Sequence, residues 1–273
     1  MTIQVRRAAM AALLMGVSAG AVQAEMAAPT APPEAPKFEA QTEPVYVNRA
    51  DIFEFKALPA YSEPAWVTAF VDAGKLPPVA ERLPKEPLVY KTANMPDGPG
   101  VYGDVMRHVI GGRPEGWNFW AGQSYGWGGI DIGLVECLTR TGPLFTVNSA
   151  DLQPLPNLAK AWEWSEDGKT LTIKLIEGAK WSDGDPFDVE DIEFYWNDVI
   201  MDENVTPLMG ASPATYNDAT FAKVDDYTFT LTFADPFPEQ VLYSMAYGNF
   251  CPGPSHLLKP KHPKYGGESY EAF

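Results

Sequence analysis

Five acidic residues fall within a short stretch of the segment Lys180–Trp196, which has the sequence KWSDGDPFDVEDIEFYW. These acids are Asp183, Asp185, Asp188, Glu190 and Asp191. Such a cluster could form a calcium loop, a pair of catalytic carboxylates, or the start of a helix. A calcium loop needs ligands at positions 1, 3, 5 and 12 and glycine at position 6. Counted from Asp183, positions 5, 6 and 12 are Phe187, Asp188 and Phe194, so the calcium pattern fails.

A helix start accounts for most of the acidic cluster. Asp188 has the position of an N-cap whose carboxylate accepts a backbone N–H, and Asp191 completes a variant of the capping box. Phe187 and Ile192 have the spacing of a hydrophobic staple. Apolar residues then recur at helical spacing, at Val189, Ile192, Trp196 and Val199. We therefore predict a turn followed by a capped helix, with none of these acids in contact with a ligand.

A second motif is GQSYG, from Gly122 to Gly126, which matches the G-x-S-x-G nucleophile elbow of α/β-hydrolases. That elbow lies between a strand and a helix, and the glycines of the following WGGID oppose an immediate helix. With His256 and His262 downstream of Ser124, a secreted serine hydrolase is the alternative from a different functional class. The sequence contains no HExxH, CxxC or Walker motif. We predict no enzyme activity, no catalytic residue, no cofactor and no metal site.

The residues around GQSYG are rich in glycine and aromatic side chains. Flat rings offer contact area at a low entropy cost, and glycine lets the backbone approach a ligand. We predict ligand contacts here and in the later segment MAYGNF. The candidate ligand-binding residues are Trp117, Trp120, Tyr125, Trp127, Tyr247 and Asn249. Phe250 could border the same cleft, and Asp131 and Glu136 could meet a cationic ligand group, although surface carboxylates are the commoner explanation.

Two hairpins are predicted on either side of the acidic segment. The first, AWEWSEDGKTLTIKL, has Asp167-Gly168 between two alternating runs, which is typical of a two-residue type I′ turn. The expected cross-strand pairs are Trp162 with Ile173 and Trp164 with Leu171. The second hairpin, FAKVDDYTFTLTF, places three threonines on one face and apolar residues on the other. The apolar residues are Phe229, Leu231 and Phe233.

The N-terminus is typical of an export signal. Arg6 and Arg7 precede an apolar stretch that is too short for a comfortable membrane span, and Val22-Gln23-Ala24 fits a cleavage site. We predict a signal peptide over residues 1–24 and, because no cysteine follows the apolar stretch directly, no lipid anchor. Residues 25–44 are rich in proline and alanine and predict a flexible linker.

Residues 45–98 are predicted to be an N-terminal extension of a main domain over residues 99–273. A short helix should stop at Gly74, and the prolines at 77, 78, 84 and 87 favour an extended path across the main domain. The formal charge of −16 disfavours binding to nucleic acid. Cys137 and Cys251 could pair in an oxidising compartment or remain two separate buried thiols, and both alternatives stay open.

The segment 154–199, PLPNLAKAWEWSEDGKTLTIKLIEGAKWSDGDPFDVEDIEFYWNDV, resembles the signature region of the family 5 extracellular solute-binding proteins. These are the peptide-type receptors of bacterial ABC importers. The matching positions are Pro156, Leu158-Ala159, Trp162, Asp167-Gly168, Lys180–Gly184 and Val189–Ile192. The segments DDYTFTLTFADPFP, CPGPSHLL and LPPVAERLPKEPLVY extend the resemblance more loosely to roughly residues 65–273.

The resemblance implies an α/β fold, the first lobe of a type II periplasmic-binding-protein-like fold with a mixed sheet and flanking helices. Family members are longer and close two lobes around the ligand, so the expectation is a truncated chain whose second lobe is missing. It also implies a periplasmic receptor that delivers peptides or a similar extended solute to an ABC permease in the inner membrane. An oligosaccharide is the alternative ligand, since this branch includes sugar binders and tryptophan suits stacking on sugar faces.

Overall fold

The structure is a computed structural model that describes residues 48, 51–92, 134–140, 154–205, 213–236, 240–246 and 250–273. All of them belong to one compact unit, Pro44–Phe273. The described strands are β1 (Phe53–Phe55), β2 (Leu88–Tyr90), β3 (Thr139–Arg140), β4 (Leu155–Pro156), β5 (Ala159–Trp164), β6 (Thr170–Leu175), β7 (Thr220–Asp225) and β8 (Thr228–Thr232). The described α-helices are α1 (Ala65–Asp72), α2 (Val79–Arg82), α3 (Val189–Phe194), α4 (Gln240–Ser244) and α5 (Ser255–Leu258).

The largest described sheet has the strand order β5-β6-β8-β7. Its strands pair antiparallel throughout, and the expected pairs of Trp162 with Ile173 and Trp164 with Leu171 are both present. β1 with β2 and β3 with β4 form two smaller antiparallel ladders. The parallel pair that a mixed sheet would contain is not among the strands described. The pairing of β5 with β6 and of β7 with β8 shows that both predicted hairpins form with the register that their hydrophobic alternation required.

The turn of the first hairpin is not the predicted type I′ turn. Gly168 has a φ of 67°, but Asp167 is not in the positive-φ region that a type I′ turn requires at both central residues. Ser165 N donates to Thr170 O at 2.9 Å, so the loop has four residues instead of two. The carboxylate of Asp167 accepts from Ser165 Oγ at 2.6 Å and from Lys169 N at 3.1 Å, and these bonds favour the longer loop.

The capped helix start is confirmed. Asp188 Oδ1 accepts from Glu190 N at 2.7 Å, and Asp188 N donates to Asp191 Oδ2 at 3.3 Å, which together with a bond to the N3 backbone completes the capping box. The helix continues beyond α3 as a π-helical turn, Tyr195–Ile200. Its apolar stripe packs into the core with the inner face of β8, and the buried members are Val189, Ile192, Trp196, Val199, Phe229, Leu231 and Phe233.

The N-terminal extension contacts the first hairpin and the acidic segment before α3 through polar bonds. Lys180 Nζ donates to Glu81 O at 2.8 Å, and Lys160 pairs with Glu86 at 2.5 Å. The predicted short helix is present as α1 and ends before Gly74, which has a φ of 67°. The prolines do not give a continuous extended path, because α2 begins directly after Pro78, whose fixed φ suits a helix start.

The C-terminal segment folds back onto the π-helical turn. His262 is fully buried, and its Nε2 donates to the backbone oxygen of Asp198 at 2.9 Å. Lys264 Nζ and Tyr265 Oη donate to the two carboxylate oxygens of Asp198 at 2.5 and 2.7 Å. A carbonyl group in the π-helical turn is therefore bonded by a residue far along the chain.

None of the described helices has the length and apolar character needed to cross a membrane. The predicted signal peptide, linker and first strand of the main domain lie outside the described residues.

Candidate functional site

The six candidate ligand-binding residues all lie outside the described residues, so their role stays a prediction. They are Trp117, Trp120, Tyr125, Trp127, Tyr247 and Asn249. The structure does describe the chain on either side of Tyr247 and Asn249, at 240–246 and 250–251. It also describes the segment 134–140, which follows residues 117–127, the predicted ligand segment that we call the aromatic loop. The contacts between these flanking segments therefore show whether the two candidate regions have neighbouring ends.

The flanking segments of the two candidate regions are neighbours. Leu138 N donates to Phe250 O at 3.0 Å, and Thr139 N donates to Met245 O at 3.3 Å. Thr139 Oγ1 also donates to Leu242 O at 2.6 Å within the core. The segment that leads from the aromatic loop is thus bonded on both sides of residues 246–249.

A disulfide joins the same two segments. Cys137 and Cys251 are bonded across a sequence separation of 114 residues. Cys251 is buried and Cys137 is half-buried. The alternative that sequence reasoning left open is therefore decided in favour of pairing. The covalent bond lies beside the hydrogen bond between Leu138 and Phe250, so it reinforces the position of both chain segments.

Glu136, which could have met a cationic ligand group, is engaged by its own chain. Arg140 Nη2 donates to both carboxylate oxygens of Glu136 at 2.7 Å, and Asn157 Nδ2 donates to Oε2 at 2.6 Å. Both oxygens are contacted by one guanidinium nitrogen and both side chains are exposed, so this is an ordinary surface ion pair. Glu136 is therefore a paired surface carboxylate, the commoner of its two expected roles. Asp131 lies outside the described residues.

The expectation that Phe250 borders the ligand cleft is wrong. Phe250 is fully buried and stacks on Trp196, with ring centroids 6.1 Å apart and an interplanar angle of 24°. Tyr195 and Tyr216 pack edge-on against the same ring. Burial raises the pKa of both tyrosine hydroxyls well above the ordinary value, so they stay neutral. An aromatic residue beside a predicted ligand segment is here part of the core.

Acids of the segment Lys180–Trp196 contact the C-terminal segment. His256 Nε2 donates to Asp183 Oδ2 at 2.7 Å, and Asp191 accepts from Trp181 Nε1 at 2.9 Å and from Ser255 N at 2.8 Å. A cavity of about 330 Å³ lies between this turn, the start of α3 and α5. Its lining residues are Asp185, Pro186, Asp188, Glu190, Asp191, Ser255, His256, Lys259, Pro260 and Tyr265.

The described part of the chain holds no group of three or more histidine, cysteine, aspartate or glutamate side chains arranged for a metal ion. Ser124 of the GQSYG motif lies outside the described residues, so the hydrolase alternative stays an untested prediction. Of its two downstream histidines, His256 is bonded to Asp183 and His262 is buried against Asp198.

Sequence reasoning missed two long-range features of this region. One is the contact between His256 and the acidic turn, for which the only signal was the excess of unpaired acids before α3. The other is the buried His262, whose partner is a backbone carbonyl and leaves no trace in the sequence pattern.

Comparison with known proteins finds a family model that matches part of the chain. Residues 153–271 match the bacterial extracellular solute-binding proteins, family 5 Middle. The chain is 64% identical over 265 residues to a periplasmic alpha-galactoside-binding protein of Rhizobium meliloti (strain 1021). That match covers 96% of this chain and 38% of the relative, so the chain spans well under half of that protein's length.

A solved structure agrees with the sequence match. The periplasmic binding protein MelB of Agrobacterium fabrum C58, in complex with stachyose, aligns with a TM-score of 0.77 and 64% identity. The alignment covers 89% of this chain and 37% of MelB. The dipeptide-binding protein DppE of Bacillus subtilis (strain 168) is 37% identical over 81 residues, which is 30% of this chain and 13% of that protein. The likeness to MelB confirms the predicted α/β class and the periplasmic-binding-protein-like fold.

Proposed function

We propose that this chain acts in the periplasm as the substrate-binding component of an ABC importer, because residues 153–271 match the bacterial extracellular solute-binding proteins of family 5. Its role is to bind a solute and deliver it to a permease in the inner membrane. No covalent chemistry is needed for this role. The ligand acts by stabilising one conformation of the receptor more than the other.

The ligand that we propose is an α-galactoside oligosaccharide. The observation that carries this choice is the 64% identity, over nearly the whole chain, to an alpha-galactoside-binding protein. The MelB structure, which contains stachyose, supports the same class at the same identity. The peptide-binding relative is similar over only 30% of the chain. The oligosaccharide alternative therefore replaces peptide as the favoured ligand.

The aromatic loop suits this class of ligand. The apolar faces of galactose rings can stack on flat side chains, and a few polar groups then orient the sugar hydroxyls. We assign stacking to Trp117, Trp120 and Trp127. The polar contacts fall to Tyr125, Tyr247 and Asn249. The described tethers of Leu138 and Thr139 to residues 242–250 support this assignment, because they bring the flanks of both groups together.

A thermal-unfolding experiment with an oligosaccharide and, separately, with a pool of peptides tests the proposal. The chain without residues 1–24 is assayed, together with a longer protein in which the remaining length of the Rhizobium relative follows Phe273. Thermal unfolding is measured with stachyose and, separately, with tri- to pentapeptides. A ligand at about 100 times its Kd stabilises the folded state by about 2.7 kcal/mol, which is a readily measured rise in the midpoint.

We expect stachyose to raise the unfolding midpoint of the longer protein and peptides to leave it unchanged. Replacing Trp120 with alanine should abolish the shift. The matched control is Trp66→Ala, because Trp66 is 69% exposed on α1, outside the predicted site. A shift with peptides alone would make the protein a peptide receptor. No shift with either pool would overturn the receptor proposal.

A further inference from the structure

The imidazole of His256 lies between two carboxylates of the turn that precedes α3. Its Nε2 is 2.7 Å from Asp183 Oδ2, and its Nδ1 is 3.2 Å from Asp185 Oδ2. The first contact is a hydrogen bond, whereas Nδ1 is buried and has no hydrogen-bond partner. Both ring nitrogens therefore face negative charge, and the two residues that supply it come from a segment more than seventy positions earlier.

This arrangement suits the protonated imidazole and not the neutral one. A neutral ring has one N–H donor and one lone pair, whereas the protonated ring has two donors. If Nε2–H donates to Asp183, a neutral ring turns the Nδ1 lone pair towards Asp185. Protonation at Nδ1 converts that repulsive contact into an attractive one. The two carboxylates thus discriminate between the charge states of His256.

The other carboxylates around His256 add to the negative field, and Lys259 opposes it. The groups around His256 come from α3, from α5 and from the segment after it, and all line the same cavity of about 330 Å³. The charged or titratable ones are Asp188, Glu190, Asp191, Lys259 and Tyr265. Of His256 and these five residues, only the histidine has an ordinary pKa between 5 and 8. The charge of this cluster near neutral pH is therefore controlled by His256.

The contact joins two parts of the fold that the chain connects only at a distance. His256 is the second residue of α5, and the turn from Trp181 to Pro186 leads into α3. One further bond joins α5 to α3 directly, from Ser255 N to Asp191 Oδ1 at 2.8 Å. Among the hydrogen bonds and ion pairs described at residues 255 and 256, weakening the histidine contact thus leaves only that bond between α5 and α3.

We infer that His256 is a pH-operated clasp, which holds α5 more tightly against the acidic turn when its imidazole is protonated than when the proton is lost. The clasp is independent of the ligand proposed above. The hydrogen bond with Asp183 raises the pKa of His256 above its ordinary value of 6.5, and the same bond lowers the pKa of Asp183 below 3.8.

The direction of the pH effect follows from these shifts. A raised histidine pKa stabilises the closed clasp fully below pH 6.5, and that contribution is lost as the pH rises through the raised pKa. The lowered carboxylate pKa stabilises it above pH 3.8, and that contribution is lost as the pH falls through the lowered pKa. The clasp is therefore closed in mildly acidic solution and opens on the alkaline side.

NMR on the whole chain tests the clasp. The imidazole signals are titrated from pH 5 to 9, with His256 assigned by its absence in His256→Gln. The amide exchange rates of Ser255 and Leu258, each divided by the intrinsic exchange rate at the same pH, give the opening ratio of α5, because Ser255 N bonds Asp191 and Leu258 N bonds Pro254 O. The opening ratio should rise about tenfold for each unit by which the closed pKa exceeds the open one.

The decisive variants are Asp183→Asn and Asp185→Asn, because both side chains are partly exposed and their replacement keeps the shape of the turn. Each should lower the pKa of His256 towards 6.5 and flatten the pH dependence of exchange. The matched control is Asp226→Asn, which removes an exposed acid paired with Lys223. An unchanged His256 pKa in Asp183→Asn, or exchange that does not vary with pH in the wild type, would overturn the inference.

Discussion

Removing the Cys137–Cys251 disulfide should destabilise the folded chain more than any single surface substitution. The change is the double substitution of both cysteines by alanine, which avoids placing a new hydroxyl at buried Cys251. The bond closes a loop of 114 residues, and its removal lets the unfolded chain regain the conformations that the loop excludes. The folded state keeps its neighbouring hydrogen bonds at Leu138 and Thr139.

The size of the effect follows from the loop length. The chain-entropy relation, with 114 residues in the loop, gives an entropy difference of roughly 16 cal/mol/K. At 25 °C this corresponds to about 4.8 kcal/mol in the free energy of unfolding. With a urea dependence of about 2 kcal/mol per molar, the unfolding midpoint should fall by about 2 M.

Urea unfolding followed by tryptophan fluorescence measures this difference. Treating the wild-type chain with reductant should lower its midpoint towards that of the double alanine variant, and the variant itself should not respond to reductant. Thr139→Val is the matched control, because it removes the neighbouring bond to Leu242 O and leaves the disulfide in place. A midpoint difference equivalent to less than about 1 kcal/mol would refute the constraint on the unfolded chain.

Three further substitutions test the capped helix, the aromatic core and the C-terminal segment. Asp188→Ala should lower the free energy of unfolding by about 1 kcal/mol in urea titrations, whereas Asp188→Asn should retain most of it because asparagine also caps helices. Phe250→Ala should lower it by about 3–5 kcal/mol, and a loss below about 1 kcal/mol would show that this ring is not packed as described. Gly267→Ala places a Cβ within 2.3 Å of the Lys261 carbonyl, so the backbone must shift and limited proteolysis should cut residues 259–273 faster. Equal cleavage rates in Gly267→Ala and the wild type would contradict that close approach.

Local patterns in the sequence predicted the elements whose determinants lie a few residues apart. The capping box of Asp188 and Asp191 was readable because an N-cap acts on backbone groups two or three positions away. The faces of β6 and β8 were readable because side chains alternate along a strand. The same local order of residues carried the resemblance to the family 5 solute-binding proteins, whose model matches residues 153–271.

The local sequence pattern gave the wrong turn type where side-chain hydrogen bonds stabilised a different loop. Asp167-Gly168 predicted a two-residue turn, but the Asp167 carboxylate bonds Ser165 and Lys169 and so stabilises a four-residue loop. The candidate ligand residues could be chosen only by type and by resemblance. Phe250 shows the limit of that choice, since an aromatic residue suits a ligand wall and a core equally well until its neighbours are known.

The sequence by itself determined the hairpins and the capped helix, because each depends on hydrogen bonds and side-chain alternation within a short stretch of chain. Only the tertiary structure decided that Cys137 pairs with Cys251, that Phe250 stacks on Trp196, and that His256 lies between Asp183 and Asp185. These contacts join residues dozens of positions apart. Their formation depends on how the sheet, α3 and the C-terminal segment pack around one core, which no local pattern records.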